Sequence, residues 1–198
     1  MHWVTPLQPF LVSVGVVGVA EIGDKTQLLA LLLAARFRRP WPIILAIVLA
    51  TLANHLAAGL AGTYAGRLVT GPWLALALGI SFLAAALWAL FPDRIGEDGP
   101  DAAVRLPARG VFMASAISFF VAELGDKTQI ATIALAAKYQ ALLPVVAGTT
   151  CGMLLANVPV VIFGRALADR LPLAAIRLAA AAVFALLGVL ELAPLIFR

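Results

Sequence analysis

Ala20-Glu21-Ile22-Gly23-Asp24-Lys25-Thr26-Gln27 returns 102 residues further on as Ala122-Glu123-Leu124-Gly125-Asp126-Lys127-Thr128-Gln129, with one conservative change in eight positions. A charged octapeptide does not recur by chance in a chain this poor in charge. Softer echoes follow: Asn54 matches Asn157 at a spacing of 103, and Gly66-Arg67 matches Gly164-Arg165 at 98. The chain is therefore read as two homologous units.

Working outward, the sequence around each copy is apolar. Of the 198 residues 63% are hydrophobic and 12% charged, and the mean hydropathy is +1.04; a water-soluble globule is excluded. A spanning helix needs about 20 apolar residues, and breaks at Pro, Gly and charge clusters divide the chain into six such segments, 9–35, 42–64, 72–91, 110–137, 141–164 and 173–197. Three spans per unit is an odd number, so the second unit enters the membrane from the opposite face. The expected fold is all-α and integral to the membrane: six transmembrane helices as two inverted three-helix repeats, 1–91 and 110–198, joined by a solvated cytoplasmic linker, 92–109. Transporters built this way hold their site at the repeat interface near the midplane. The first and fourth segments are about 40 Å long at ~1.5 Å per residue. Only they carry acids and bases near the middle, which predicts tilted or interrupted helices.

Lys and Arg in the turns set the orientation. Nine (Arg36, Arg38, Arg39, Arg94, Arg105, Arg109, Arg165, Arg170 and Arg177) fall on one side and three (Arg67, Lys138 and Arg198) on the other. The first, third and fifth connections are thus expected in the cytoplasm and both termini outside. The net charge of +4 is scattered over these turns and forms no patch for nucleic acid. Residues 1–8 do not read as a signal peptide. Cys151, the single cysteine, has no disulfide partner and reads as a small buried hydrophobe within a helix. Trp3, Trp41, Trp73 and Trp88 fall at span ends, as interfacial belt residues do.

Glu21, Asp24, Lys25, Glu123, Asp126 and Lys127 lie at membrane depth, where six isolated charges would cost on the order of 15–20 kcal/mol; they cannot face lipid. In helical geometry Glu21 and Asp24 can share a face, and Lys25 follows Glu21 in the favourable i,i+4 order for an ion pair. Gly23 and Gly125 permit close approach of the opposing repeat or local unwinding. Gln27 and Gln129 add amide oxygens, and Thr26 and Thr128 add hydroxyls. Brought together, the motifs offer four carboxylates and neutral oxygen donors, the ligand set of a hard divalent cation such as Ca²⁺ or Mn²⁺. Zinc is disfavoured, since His55 is the only imidazole within a span. Two lysines leave two of the four negative charges uncompensated. One divalent ion cancels them, and so do two protons, the condition for an antiporter in which metal and protons compete for the same acids.

The doubled E-x-G-D-K-T signature resembles that of the Golgi calcium/manganese:proton antiporters, whose bacterial members are manganese exporters, within the cation/calcium exchanger superfamily. The resemblance spans essentially the whole chain. It implies exchange of a divalent cation, Mn²⁺ ahead of Ca²⁺, against protons across a bacterial inner membrane, with the metal as cargo rather than cofactor. Carried over, Glu21, Asp24, Glu123 and Asp126 are the expected acidic residues, joined by Gln27 and Gln129 as metal-site residues and by Thr26 and Thr128 as accessory ones; Lys25, Lys127, Asn54 and Asn157 are read as accessory from the residues themselves.

Blander alternatives stand beside this reading. The motif acids could form buried ion pairs, Glu21 with Lys25 and Glu123 with Lys127, that hold the repeats in register, although such pairs are poor net stabilisers. The lysines themselves read as charge compensation, with a direct part in proton coupling the alternative. His55 reads as a packed hydrogen-bonding residue, with proton transfer the alternative. Asn54 and Asn157 divide between lining the site and joining helices. Pro144 and Pro159 read as kinks, and Glu191 as interfacial or at a pore mouth. Rival functions are a passive divalent-cation channel, a carrier of basic amino acids, and an intramembrane aspartyl protease built on Asp24 and Asp126, which would need no second carboxylate beside each Asp.

Overall fold

The computed structural model describes residues 6–91, 107–164 and 172–197. Their helices fall into two sets of four: α1 (Leu7–Glu21), α2 (Lys25–Phe37), α3 (Pro40–Leu68) and α4 (Pro72–Ala89), then α5 (Ala108–Glu123), α6 (Lys127–Tyr139), α7 (Leu142–Phe163) and α8 (Leu173–Ile196). No strand occurs among the described residues. The starts follow from chemistry. Pro40 and Pro72 open α3 and α4, where a missing N–H leaves no helical hydrogen bond unmade.

Both long segments are interrupted at the motif. α1 stops at Glu21 and α2 begins at Lys25; α5 stops at Glu123 and α6 begins at Lys127, bent by 68° from α5. Gly23 (φ 78°) and Gly125 (φ 72°) turn the chain through the left-handed region that side chains disfavour. The interruption is thus a real break, and unwinding, not a tilted continuous helix, is how the chain uses these glycines.

Four helices, α3, α4, α7 and α8, are long and apolar enough to cross a membrane, and α5 with α6 adds a fifth if the bent pair is one span. α3 shows the membrane logic residue by residue. Leu45, Leu49, Leu52, Leu56 and Leu60 are exposed along one face while Thr51, Asn54 and His55 are buried on the other, the reverse of a helix on a water-soluble core. Small residues bring backbones together: α1 packs along α7, where a Cβ at Gly152 would lie 2.7 Å from the Val14 carbonyl oxygen and 2.8 Å from the Gly18 nitrogen. α3 packs against α5, α6 and α7, and α4 against α8. Phe82, Leu135 and Phe184 anchor one apolar cluster. Ile43, Ile47, Val111 and Phe119 anchor the other.

Several expectations need adjustment. α3 begins at Pro40 and ends at Leu68, four residues beyond its expected end, and α5 begins at Ala108, inside the expected linker. Residues 92–106 of that linker, with Trp3, Arg165, Arg170 and Arg198, lie outside the described residues. Cys151 is within a helix but partly exposed rather than buried, in an apolar groove with Phe10, Leu11 and Val14. Pro144 falls in the first turn of α7, where a proline needs no kink, so Pro159 is the interior one. Trp41 and Trp73 sit in the first turns of α3 and α4, and Trp88 in the last turn of α4. Glu191 on α8 pairs with Lys138 at the end of α6, tying the two helices together.

Candidate cation site

The two breaks are built alike. Asp24 N–H donates to the Glu21 carbonyl at 3.1 Å, and Asp126 N–H to the Glu123 carbonyl at 3.2 Å. The Gly23 N–H donates to Gln27 Oε1 at 2.7 Å and the Gly125 N–H to Gln129 Oε1 at 2.8 Å. Each glutamine oxygen therefore accepts from its own turn, and Gln27 Nε2 also donates to the Ala156 carbonyl of α7 at 2.9 Å. Asp24 and Asp126 occupy the N-cap positions of α2 and α6. Thr128 donates to Asp126 Oδ2 from Oγ1 at 3.0 Å and from N at 3.4 Å, a capping pattern that satisfies a helix-end donor.

The breaks bring acids of both halves together. One oxygen each of Glu21, Asp24 and Asp126 lies within 4.8 Å of the other two, and all three residues are buried. Lysines reach across between the halves: Lys127 Nζ is 2.7 Å from Asp24 Oδ1, and Lys25 Nζ is 3.1 Å from Asp126 Oδ1. This corrects the pairing of Glu21 with Lys25 and Glu123 with Lys127. The i,i+4 rule needs an unbroken helix, and here the turn between glutamate and lysine swings each ammonium toward the opposite repeat. Glu21 keeps two buried carboxylate oxygens with no hydrogen-bond partner. Such groups are costly unless something compensates them.

Glu123 lies beside Glu21, Asp24 and Asp126 but outside the 4.8 Å grouping of their oxygens. Its Oε1 accepts from Thr51 Oγ1 of α3 at 2.7 Å, a partner absent from the sequence reading; the one available signal was the polar stripe of Thr51, Asn54 and His55 on an otherwise apolar helix. Asn54 Nδ2 donates to the Phe120 carbonyl at 3.1 Å, joining α3 to α5. Asn157 Nδ2 bonds within its own helix, to the Met153 carbonyl at 3.0 Å, leaving Oδ1 buried without a hydrogen-bond partner. The Thr26 hydroxyl is likewise buried without one. His55 is packed as expected, but neither ring nitrogen has a hydrogen-bond partner.

Three buried carboxylates facing two lysines suit a hard, oxygen-seeking cation, which would compete with the lysines for the aspartates. Comparison with known proteins agrees with this chemistry. The family described as "Divalent cation/proton antiporter GDT1" matches residues 9–97 and 111–196. Over 178 residues the chain is 52% identical to a Vibrio cholerae protein named "Putative manganese exporter", covering 89% of this chain and 86% of that one. It is 29% identical over 200 residues to a GDT1-like protein of Synechocystis, covering 93% and 97% of the two chains. No solved structure matches it.

Proposed function

We propose, because the chain belongs to the divalent cation/proton antiporter GDT1 family, that it exports Mn²⁺, with Ca²⁺ the second candidate, in exchange for protons. The family is one of transporters, so the chain is a multi-pass membrane transporter and not an enzyme. The observation that carries the reading is Glu21, with both oxygens buried and lacking hydrogen-bond partners beside Asp24 and Asp126. In this reading α1 with α2, and α5 with α6, are the interrupted first and fourth of six spans, the halves are inverted, and the breaks meet near the midplane. Both termini face outward from a bacterial inner membrane.

The cation takes oxygens from Glu21, Asp24 and Asp126, with Glu123, Gln27 and Gln129 in reach of a rearranged site, and cancels the two negative charges that the four motif acids keep beyond the two lysines. Thr26, Thr128, Asn54 and Asn157 furnish neutral donors around it. Lys25 and Lys127 hold the aspartates when the cation is away. Protons arriving from outside occupy the same carboxylates and release the metal there. Return loaded with protons then leaves no uncompensated charge in a low-dielectric interior.

Reconstituted protein in proteoliposomes tests this. Mn²⁺ uptake is expected to move protons the other way and to run uphill on an imposed pH gradient, and Glu21→Gln is expected to abolish both. Uptake with no opposing pH change and no response to the gradient describes a channel and overturns the exchange reading.

A further inference from the structure

Each half contributes one motif glutamate, but the two are not in the same state. Glu123 Oε1 accepts a 2.7 Å hydrogen bond from Thr51 Oγ1, while its Oε2 is buried with no hydrogen-bond partner. Glu21, the matching residue of the first half, is equally buried and has no hydrogen-bond partner on either oxygen. The register that aligns Asn54 with Asn157 puts Leu154 in the place of Thr51, so α7 offers Glu21 no matching hydroxyl. The oxygens that approach one another within 4.8 Å are those of Glu21, Asp24 and Asp126, while Glu123 Oε1 is turned to Thr51.

We propose that Thr51 is a positioning residue that holds Glu123 out of the Glu21–Asp24–Asp126 cluster, so that the cation is gripped by three carboxylates and can be let go. This rests on the reading of that cluster as the cation site. The affinity of an oxygen site for a divalent ion rises with the number of charged ligands, and a carrier that binds too tightly releases slowly. A hydroxyl donating to a carboxylate in a water-poor interior competes with the cation for the same oxygen. Without it, Glu123 keeps a buried charge with one fewer partner, and the cation is the compensating group it can turn to.

Thr51→Val preserves shape and removes the hydroxyl. In Mn²⁺ transport by proteoliposomes it is expected to lower KM roughly tenfold, the factor that ~1.4 kcal/mol carries, and to lower kcat by a similar factor. Thr51→Ser is expected to restore both. In a Glu123→Gln background, Thr51→Val is expected to leave KM where that single substitution puts it, which a merely structural role would not do. Should Thr51→Val resist purification, Thr51→Ala carries the same test by equilibrium Mn²⁺ binding in detergent. If the parent transports Mn²⁺ but Thr51→Val leaves KM unchanged or raises it, the positioning role is wrong. If the parent neither binds nor transports Mn²⁺, the cation-site reading itself fails.

Discussion

At the scale of single residues, the motif shows how a short string of charges can be legible in kind and illegible in pairing. The acids stand out because six ionisable groups cannot face lipid. Their partners do not, because pairing by spacing presumes a helix that Gly23 and Gly125 interrupt. Thr51 escapes for another reason: a threonine in an apolar helix commonly bonds its own backbone, as Thr63 does to the Gly59 carbonyl, and nothing in the sequence says that Thr51 looks toward α5. The cross-pairs also differ. The Lys127 side chain is 5% exposed and that of Lys25 26%. Breaking a buried pair from one side costs about 3–5 kcal/mol; solvent screening discounts the exposed partner. Lys127→Met is therefore expected to lower thermal stability in detergent several-fold more than Lys25→Met does, measured by Tm. Equal losses would remove the difference in burial as the cause.

Individual helices were legible wherever hydropathy alone decides, in α3, α4, α7 and α8, and their ends moved by only a few residues. The breaks were legible as a permission, glycine among charges, rather than as a geometry. Two glycines separate two physical causes. Gly125 has open space where a Cβ would go but a φ of 72°, so Gly125→Ala is expected to cost about 1–2 kcal/mol through backbone conformation alone. Gly152 is helical and would drive a Cβ against Val14 and Gly18. Gly152→Ala is expected to cost about 1–3 kcal/mol through separation of α1 and α7. Hydrogen exchange distinguishes them: the first substitution should loosen amides around Asp126, and the second should loosen both packed helices along their length.

For the whole molecule, the repetition of the octapeptide was plain from the sequence, and the all-helical membrane character from composition. What no composition gives is which acid of which half meets which, since that depends on how α1, α5 and the polar stripe of α3 come together. Binding of the proposed cargo is a property of the assembled whole. Mn²⁺ at 100 times its Kd is expected to stabilise the folded protein by about 2.7 kcal/mol. In the proposed exchange protons and metal compete for the same carboxylates, so the sign with pH follows: stabilisation by a fixed Mn²⁺ concentration should shrink as pH falls. Thermal unfolding at several pH values reads this directly, and a metal effect that grows toward acid would contradict shared ligands.

The handing of each lysine to the other half's aspartate carries a consequence for any attempt to divide the chain. A gene severed between the halves would give two fragments, each bringing into lipid an aspartate whose neutralising ammonium belongs to its sibling. Either made alone should be discarded by the cell, and co-production should rescue both, because each supplies the ammonium that pairs with the other's aspartate.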